Sequence, residues 1–590
     1  MIHQKTSIIR RPAILALAAC LISSDSPSAD AKSAEGVTVE TGGAGQPARG
    51  SSTQRDARMA WWREAKFGLF IHWGVYAVPA GKWGDHPHYG EWIMNSGKIP
   101  VPDYREFAAR FNPVKYDPQQ WVGIARDAGM KYIVITSKHH DGFALFPSEA
   151  SPWNIADATP YKKDLLDPLV KNAHASGLKI GFYYSHSQDW MNPGGAKSGF
   201  NAGDGWDEAH KGDYDAYLKN VAVPQTREIL SRYPIDILWW DTPMDISRER
   251  AQPFADLVAQ HPKLITNNRL GGNFHGDTAT PEQFVPATGY PGDWETCMTM
   301  NEHWGYNAVD NHWKSSTDLI RKLADICAKG GNFLLNVGPT AEGEFPAASV
   351  ERLRDIGKWL RVNGESIYGT TCGPFAHLPW GVATRKGSTL YLHVFEWPKN
   401  GKLVVPLNNE AKSAKLLATG AGLAVTGKEE RLVIDVPATA PDDNSSVIAL
   451  EIVGEPSTRA LPTDGANLNA SSSMPGSEPA NAIDGTAEKR WRAAQDVKSA
   501  TLDINLKEPA TIAAFALDEP DVWPRMHQEF LLEAEVDGQW KPIADGKTDG
   551  HGKSGKTQPA TSGKFRLTMK CGSGSPGVAE LQLYRSEPTG

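Results

Sequence analysis

Beyond its N-terminus the chain has no run of about eighteen apolar residues, so its body offers no candidate membrane span. It also lacks a basic field. Lys and Arg number 61 against 69 Asp and Glu, a formal charge of -8, and no nucleic-acid motif stands among them, so nucleic acid is not an expected partner. Cysteine is scarce, with 5 in 590 residues, and none is in C-x-x-C spacing. Cys20 falls in the N-terminal apolar stretch, which leaves Cys297, Cys327, Cys372 and Cys571 without a zinc pattern or a disulfide framework, though an oxidising compartment would permit one or two bridges. Neither H-E-x-x-H nor a G-x-G-x-x-G loop after the first strand is found, and no cofactor is expected. Internal repeats are missing, and nothing in the sequence signals an oligomeric state.

What is present is length enough for two to four domains, and 20 tryptophans. That excess suits ligands with flat apolar faces, such as sugars. Residues 1–31 read as an export signal: Lys5, Arg10 and Arg11 precede "PAILALAACLI". Two processing sites compete, a lipoprotein-like "LAAC" ending at Cys20 and an A-x-A site at Ala29 to Ala31. Residues 32–58, rich in Gly, Ser, Ala and charge, read as a flexible linker.

From residue 59 to 370 helical periodicity alternates with short apolar runs. Asp117 is a fitting N-cap before Pro118, Trp121, Ile124, Ala125 and Ala128 form one apolar face, and Gly129 stops the helix before the buried strand "YIVIT". The pattern recurs before "KIGFYYS" and "IDILWWD", with further strands at "FGLFIHW", "KLITNN" and "NFLLNV". So many near-continuous apolar strands separated by helices predict a parallel sheet, and about 300 residues suit a (β/α)8-like barrel, with an open doubly wound sheet as the lesser alternative. From 371 to 456 short strands predict a small antiparallel β-sandwich, and 457–590 holds a second β-rich block.

In a barrel the strand C-termini share one mouth, so polar residues there are the candidates for chemistry. The first strand ends in His72, the second runs into His139 and His140, the third carries Tyr183, the fourth ends in Asp241 and the fifth at Arg269. Alternation puts Phe70 with His72 and Trp239 with Asp241, and turns Trp240 outward toward the helices. A lone strand-end His is commonly structural and a lone Asp commonly a helix cap; their coincidence points to a site. Adjacent His139 and His140 would point oppositely in a regular strand unless the chain has already turned. A metal-dependent hydrolase is a rival, because His72, His139, His140 and Asp241 can all ligate, but no metal-binding spacing accompanies them, and no metal is expected.

"FGLFIHWG", "YGEWI", "KHHDGF", "GFYYS", "LWWD" and "GGNFLLNVGPTAEG", in this order, resemble the retaining α-L-fucosidases. The resemblance implies an exo-acting glycosidase that removes terminal α-L-fucose from oligosaccharides or glycoconjugates by double displacement, with a fucosylated glycan as its partner. Carried over, the nucleophile falls on Asp241, and sugar-binding positions fall on His72, Glu91, Trp92, His139, His140, Tyr183 and Arg269. Phe70, Trp239 and Trp304 match aromatic positions around the fucose methyl, and the acid/base matches Glu282, with Glu295 close by. A carbohydrate-binding protein on an inactive barrel is the alternative. "NLNASSSMPGSEPANAIDGTAEKRWRAA" and "FRLTMKCGSGSPGVAELQLY" in the last block resemble discoidin-like (coagulation factor 5/8 type) domains, which often bind carbohydrate. Because every proposed catalytic group lies in the barrel, removing residues from about 457 onward is expected to spare hydrolysis of a small fucoside.

Overall fold

The computed structural model describes residues 51–196, 205–427, 431–485, 489–520, 527–548, 550–572 and 574–586. The signal at 1–31, Cys20 and residues 32–50 lie outside them. Residues 52–58, which composition assigns to the linker, are instead the first turns of helix α1 (Ser52–Ala65). Ser51 and Gln54 form a reciprocal capping box at its start. Buried Arg58 then pairs with Asp277 at 2.6 Å, a partner 219 residues away that local composition cannot register.

Seven parallel strands follow: β1 (Phe67–Ile71), β2 (Tyr132–Lys138), β3 (Lys179–Tyr184), β4 (Ile237–Trp240), β5 (Ile265–Thr266), β6 (Glu295–Thr299) and β7 (Asn332–Val337), in the order β5-β4-β3-β2-β1-β7-β6. The edges β5 and β6 are not left open. Residues 277–283 run between them, with parallel bridges Asn267 to Thr278, Ala279 to Trp294 and Glu282 to Cys297. The Asn268 N–H donates to the Thr278 carbonyl and the Gln283 N–H to the Cys297 carbonyl, each at 2.9 Å. The barrel therefore has an eighth, irregular stave. It cannot be a regular strand, because Pro281 has no N–H to give and its neighbours are polar.

The packing follows the alternation of the strands. Phe70, Val134, Tyr183, Ile237, Trp239, Ile265, Cys297 and Leu334 fill the interior, and Met59, Trp62 and Ala65 of α1 pack into the same cluster. Leu69, Ile133, Tyr184, Leu238, Trp240 and Leu335 belong to the outer cluster with the helices. Those include α2 (Val101–Arg110), α3 (Pro118–Asp127), α4 (Leu166–Ala175), α5 (Val223–Arg232), α6 (Arg248–Ala259), α7 (Ser316–Ala328) and α8 (Ala347–Asn363). Asp117 caps α3 by accepting the N–H groups of Gln119 and Gln120, and Gly129, at φ 87°, turns the chain into β2. Among the described residues no helix is long and apolar enough to cross a membrane.

Two all-β units follow. A six-stranded sheet containing Gly381–Lys386, Thr389–Val394, Ala411–Leu416 and Ser446–Ile452 faces a three-stranded one built on Lys402–Val405 and Leu432–Asp435 around a shared apolar core. The last unit is dominated by Ser499–Asp518, Gln528–Val536, Gln539–Lys547, Gly552–Cys571 and Glu580–Arg585, with its own core. Cys297, Cys327, Cys372 and Cys571 are all free thiols.

Candidate active site

Asp241 follows directly on β4, with Trp239 below it in the barrel and Trp240 turned out against Phe254 of α6. Its Oδ2 accepts the Tyr183 hydroxyl at 2.7 Å, its Oδ1 accepts Nη1 of Arg269 at 2.7 Å, and His140 Nε2 lies 3.4 Å from Oδ2. Burial favours the neutral acid, but His140, Arg269 and Tyr183 together outweigh it and hold the carboxyl well below the usual carboxylate range. Asp241 is thus an ionised carboxylate at a barrel mouth.

Arg269 is fixed from several sides. Its Nε donates to Thr280 Oγ1 at 2.8 Å, its guanidinium lies 4.8 Å from the Trp239 ring centroid, and its Nη2 reaches Glu282 Oε2 at 2.9 Å. One guanidinium therefore carries both carboxylates on adjacent nitrogens, and Thr280 and Glu282 both belong to the irregular stave. Glu295 is placed differently. It opens β6, at the end of the barrel away from the mouth, and is 1% exposed. It accepts the Trp239 indole N–H at 2.9 Å and the Tyr132 hydroxyl at 2.8 Å, and burial raises its pKa.

The histidines line one side. The Asn336 amide donates to the Trp304 carbonyl at 2.8 Å, which turns its oxygen toward His72 Nδ1, also at 2.8 Å. Nδ1 of His72 is therefore the donor, and Nε2 is left as an acceptor in the neutral ring. β2 ends at Lys138 and the chain has already turned, so His139 and His140 both join the site. His139 stacks on Tyr183 with centroids 5.4 Å apart and its buried Nδ1 has no partner among the described residues, while His140 Nδ1 contacts Ser185 Oγ at 2.7 Å. Burial lowers the pKa of His139 well below the ordinary value. Trp304 lies against His72 and Phe70, Phe70 against Trp239, and Trp92 against His140. Glu91, buried and raised in pKa by burial, accepts the Gly305 N–H at 2.9 Å beside Trp304.

All twelve sequence-predicted positions thus meet in one cluster. The residues that hold them, Asn336, Ser185, Thr280 and Gly305, were not anticipated. Asn336 was the legible one: a polar residue at an inward position near the end of the apolar run "NFLLNV". Among the described residues, Glu302, Asp310 and His312 are the one set with ligand atoms within 4.8 Å of one another.

Buried histidines make stability pH-dependent. His72, His186 and His393 are each pushed down to about 4 by burial. The unfolded chain protonates them near pH 6.5, as expected for a free imidazole (about 6.5). Between those values it binds more protons at these sites than the folded chain, so the histidines' contribution to stability falls as pH falls. Asp141, pushed up to about 7 by burial, and Glu580, pushed up to about 8 by burial, contribute with the opposite sign. His393→Gln removes one histidine contribution, so the melting temperature of the variant is expected to gain on that of the wild type as pH falls from 7 to 5. A difference in melting temperature between the two that stays constant from pH 7 to 5 would contradict this.

The alpha-L-fucosidase family model matches residues 41–365, and the F5/8 type C domain model matches residues 467–569. An alpha-L-fucosidase of Dictyostelium discoideum is 30% identical over 427 residues, covering 65% of this chain and 89% of that one. The crystal structure of an alpha-L-fucosidase from Vibrio sp. strain EJY3 superposes with a TM-score of 0.69 at 26% identity, covering 91% of this chain and 98% of that one. A GH29 alpha-L-fucosidase from Bacteroides thetaiotaomicron, trapped as a covalent intermediate with 2-fluoro-fucosyl fluoride in a Glu-to-Gln mutant, superposes at 0.61 with 28% identity over 70% of this chain and 99% of that one.

Proposed function

The chain belongs to the alpha-L-fucosidase family, and from that premise we propose that it releases terminal α-L-fucose from fucosylated glycans by double displacement, with Asp241 as nucleophile and Glu282 as acid/base. The observation that carries the reading is Arg269 shared between the two carboxylates. A retaining glycosidase needs one ionised carboxylate to attack the anomeric carbon and one carboxyl, about 5–5.5 Å away, to protonate the leaving oxygen. Asp241 is ionised. Its attack forms a glycosyl ester as Glu282 gives its proton to the departing oxygen. Glu282 then takes a proton from water, and the water oxygen breaks the ester.

Tyr183, His72, His139, His140, Glu91, Trp92 and Arg269 bind the sugar. The unpartnered Nδ1 of buried His139 supports this, since such an atom calls for a ligand hydroxyl. Phe70, Trp239 and Trp304 form the wall for the 6-methyl group. Burying that methyl is worth about 1–3 kcal/mol, so kcat/KM for an α-L-fucoside should exceed that for the α-L-galactoside by tens to hundreds of fold. Equal turnover of both would refute the methyl pocket. The apolar N-terminal segment supports export, either soluble or lipid-anchored through Cys20. Release of fucose from 4-nitrophenyl α-L-fucoside tests the proposal against an inactive carbohydrate-binding barrel, which would release none.

A further inference from the structure

Glu282 stands at the last bridge between the irregular stave and β6. Its neighbour Gln283 adopts φ 67°, a left-handed conformation unfavourable for a residue with a Cβ. Such a conformation persists where contacts on both sides over-determine it. On the barrel side, the Gln283 amide exchanges contacts of 3.2 Å with Thr299, and the Thr296 hydroxyl donates to the Phe284 carbonyl at 3.0 Å.

The other side belongs to the C-terminal all-β unit. Asp518, the last residue of the strand Ser499–Asp518, accepts the Ala287 N–H on Oδ1 at 2.8 Å. Its Oδ2 accepts the Thr288 N–H at 3.0 Å and the Thr288 hydroxyl at 2.5 Å. The His551 ring lies nearly parallel to that of Phe284, with centroids 3.8 Å apart. Asp518 is 4% exposed. A buried carboxylate from one unit saturated by three donors of a single loop in another is a clamp, because separation would strand both sides.

We propose that Asp518 is a positioning residue for the acid/base: by fixing residues 284–288 it fixes Gln283 and the reach of Glu282 over the leaving group. The proposal rests on Glu282 being the acid/base. It reverses the expectation that the C-terminal unit is dispensable for turnover, which followed from the catalytic groups all lying in the barrel.

Loss of the clamp should weaken proton transfer and spare attack by Asp241. The test is kcat/KM of full-length Asp518→Ala, Thr288→Val and Glu282→Ala on methyl α-L-fucoside, which needs a proton to leave, and on 2,4-dinitrophenyl α-L-fucoside, which does not. Asp518→Ala is expected to fall on the order of tenfold or more on the first substrate, as a displaced catalytic group does, and less than about twofold on the second. Thr288→Val should fall in the same direction by less. Equal losses on both substrates, or none, in variants that melt cooperatively would overturn the clamp. If Asp518→Ala fails to fold, Thr288→Val, which leaves the C-terminal unit unaltered, decides by the same ratio. A leaving-group pattern in Glu282→Ala but in neither clamp variant removes the clamp alone; its absence from Glu282→Ala removes the acid/base assignment and the clamp with it.

Discussion

Asp241→Ala is expected to lower turnover of a chromogenic fucoside at least about a thousandfold, equivalent to roughly 4 kcal/mol of barrier. Neither Glu282 nor Glu295 is placed to substitute for it. Glu282 occupies the other nitrogen of Arg269, and Glu295 is held at the far end of the barrel by Tyr132 and Trp239. The substitution empties a space lined by Tyr183, His140 and Arg269, a set of donors that suits a small anion. Azide should therefore restore part of the rate and yield a glycosyl azide of inverted configuration, since it attacks from the vacated side in a single displacement. Near-normal activity in the variant would sink the assignment.

Glu282→Ala should leave a different mark. On poorly activated fucosides kcat/KM is expected to fall by about 10²–10⁴, the usual contribution of general acid catalysis, while a 2,4-dinitrophenyl fucoside keeps its first step. Azide should accelerate turnover of that substrate and give a product of retained configuration, because it replaces the missing base in the second displacement. Glu295→Ala should not show the pattern. It strands the Tyr132 hydroxyl and the Trp239 indole N–H in the barrel interior, at a cost of about 1–3 kcal/mol for each unsatisfied group, so it should read as a lowered melting temperature. The leaving-group pattern in Glu295→Ala alone would move the acid/base to that position and leave the mechanism standing.

The regular part of the barrel was legible because its information is local. Phe70 with His72 and Trp239 with Asp241 share a face simply because strand side chains alternate, and Asp117, Pro118 and Gly129 mark one helix by rules that act within a turn. The irregular stave was not. A polar run containing Pro281 has no periodicity to read, and its course depends on carbonyls of β5 and β6 that exist only once the barrel has formed. For the same reason Thr280 and Ser185 escaped notice, since each matters through side-chain bonds that form only when Arg269 and His140 come to them in the folded barrel. The first turns of α1 were misread as linker because Arg58 is polar in composition, yet buried against Asp277.

The measurement that bears most directly on the central claim is the identity of the residue that bonds to the sugar. The wild-type protein should be incubated with 2-fluoro-fucosyl fluoride, digested with protease and analysed by mass spectrometry. The fluorine at C2 slows both displacements and the fluoride leaves readily, so the ester intermediate accumulates. The account predicts one added 2-fluorofucosyl group, carried by the peptide that contains Asp241, with loss of activity in step with labelling. A label on Glu282, Glu295 or any other residue, or turnover with no covalent species, would contradict it.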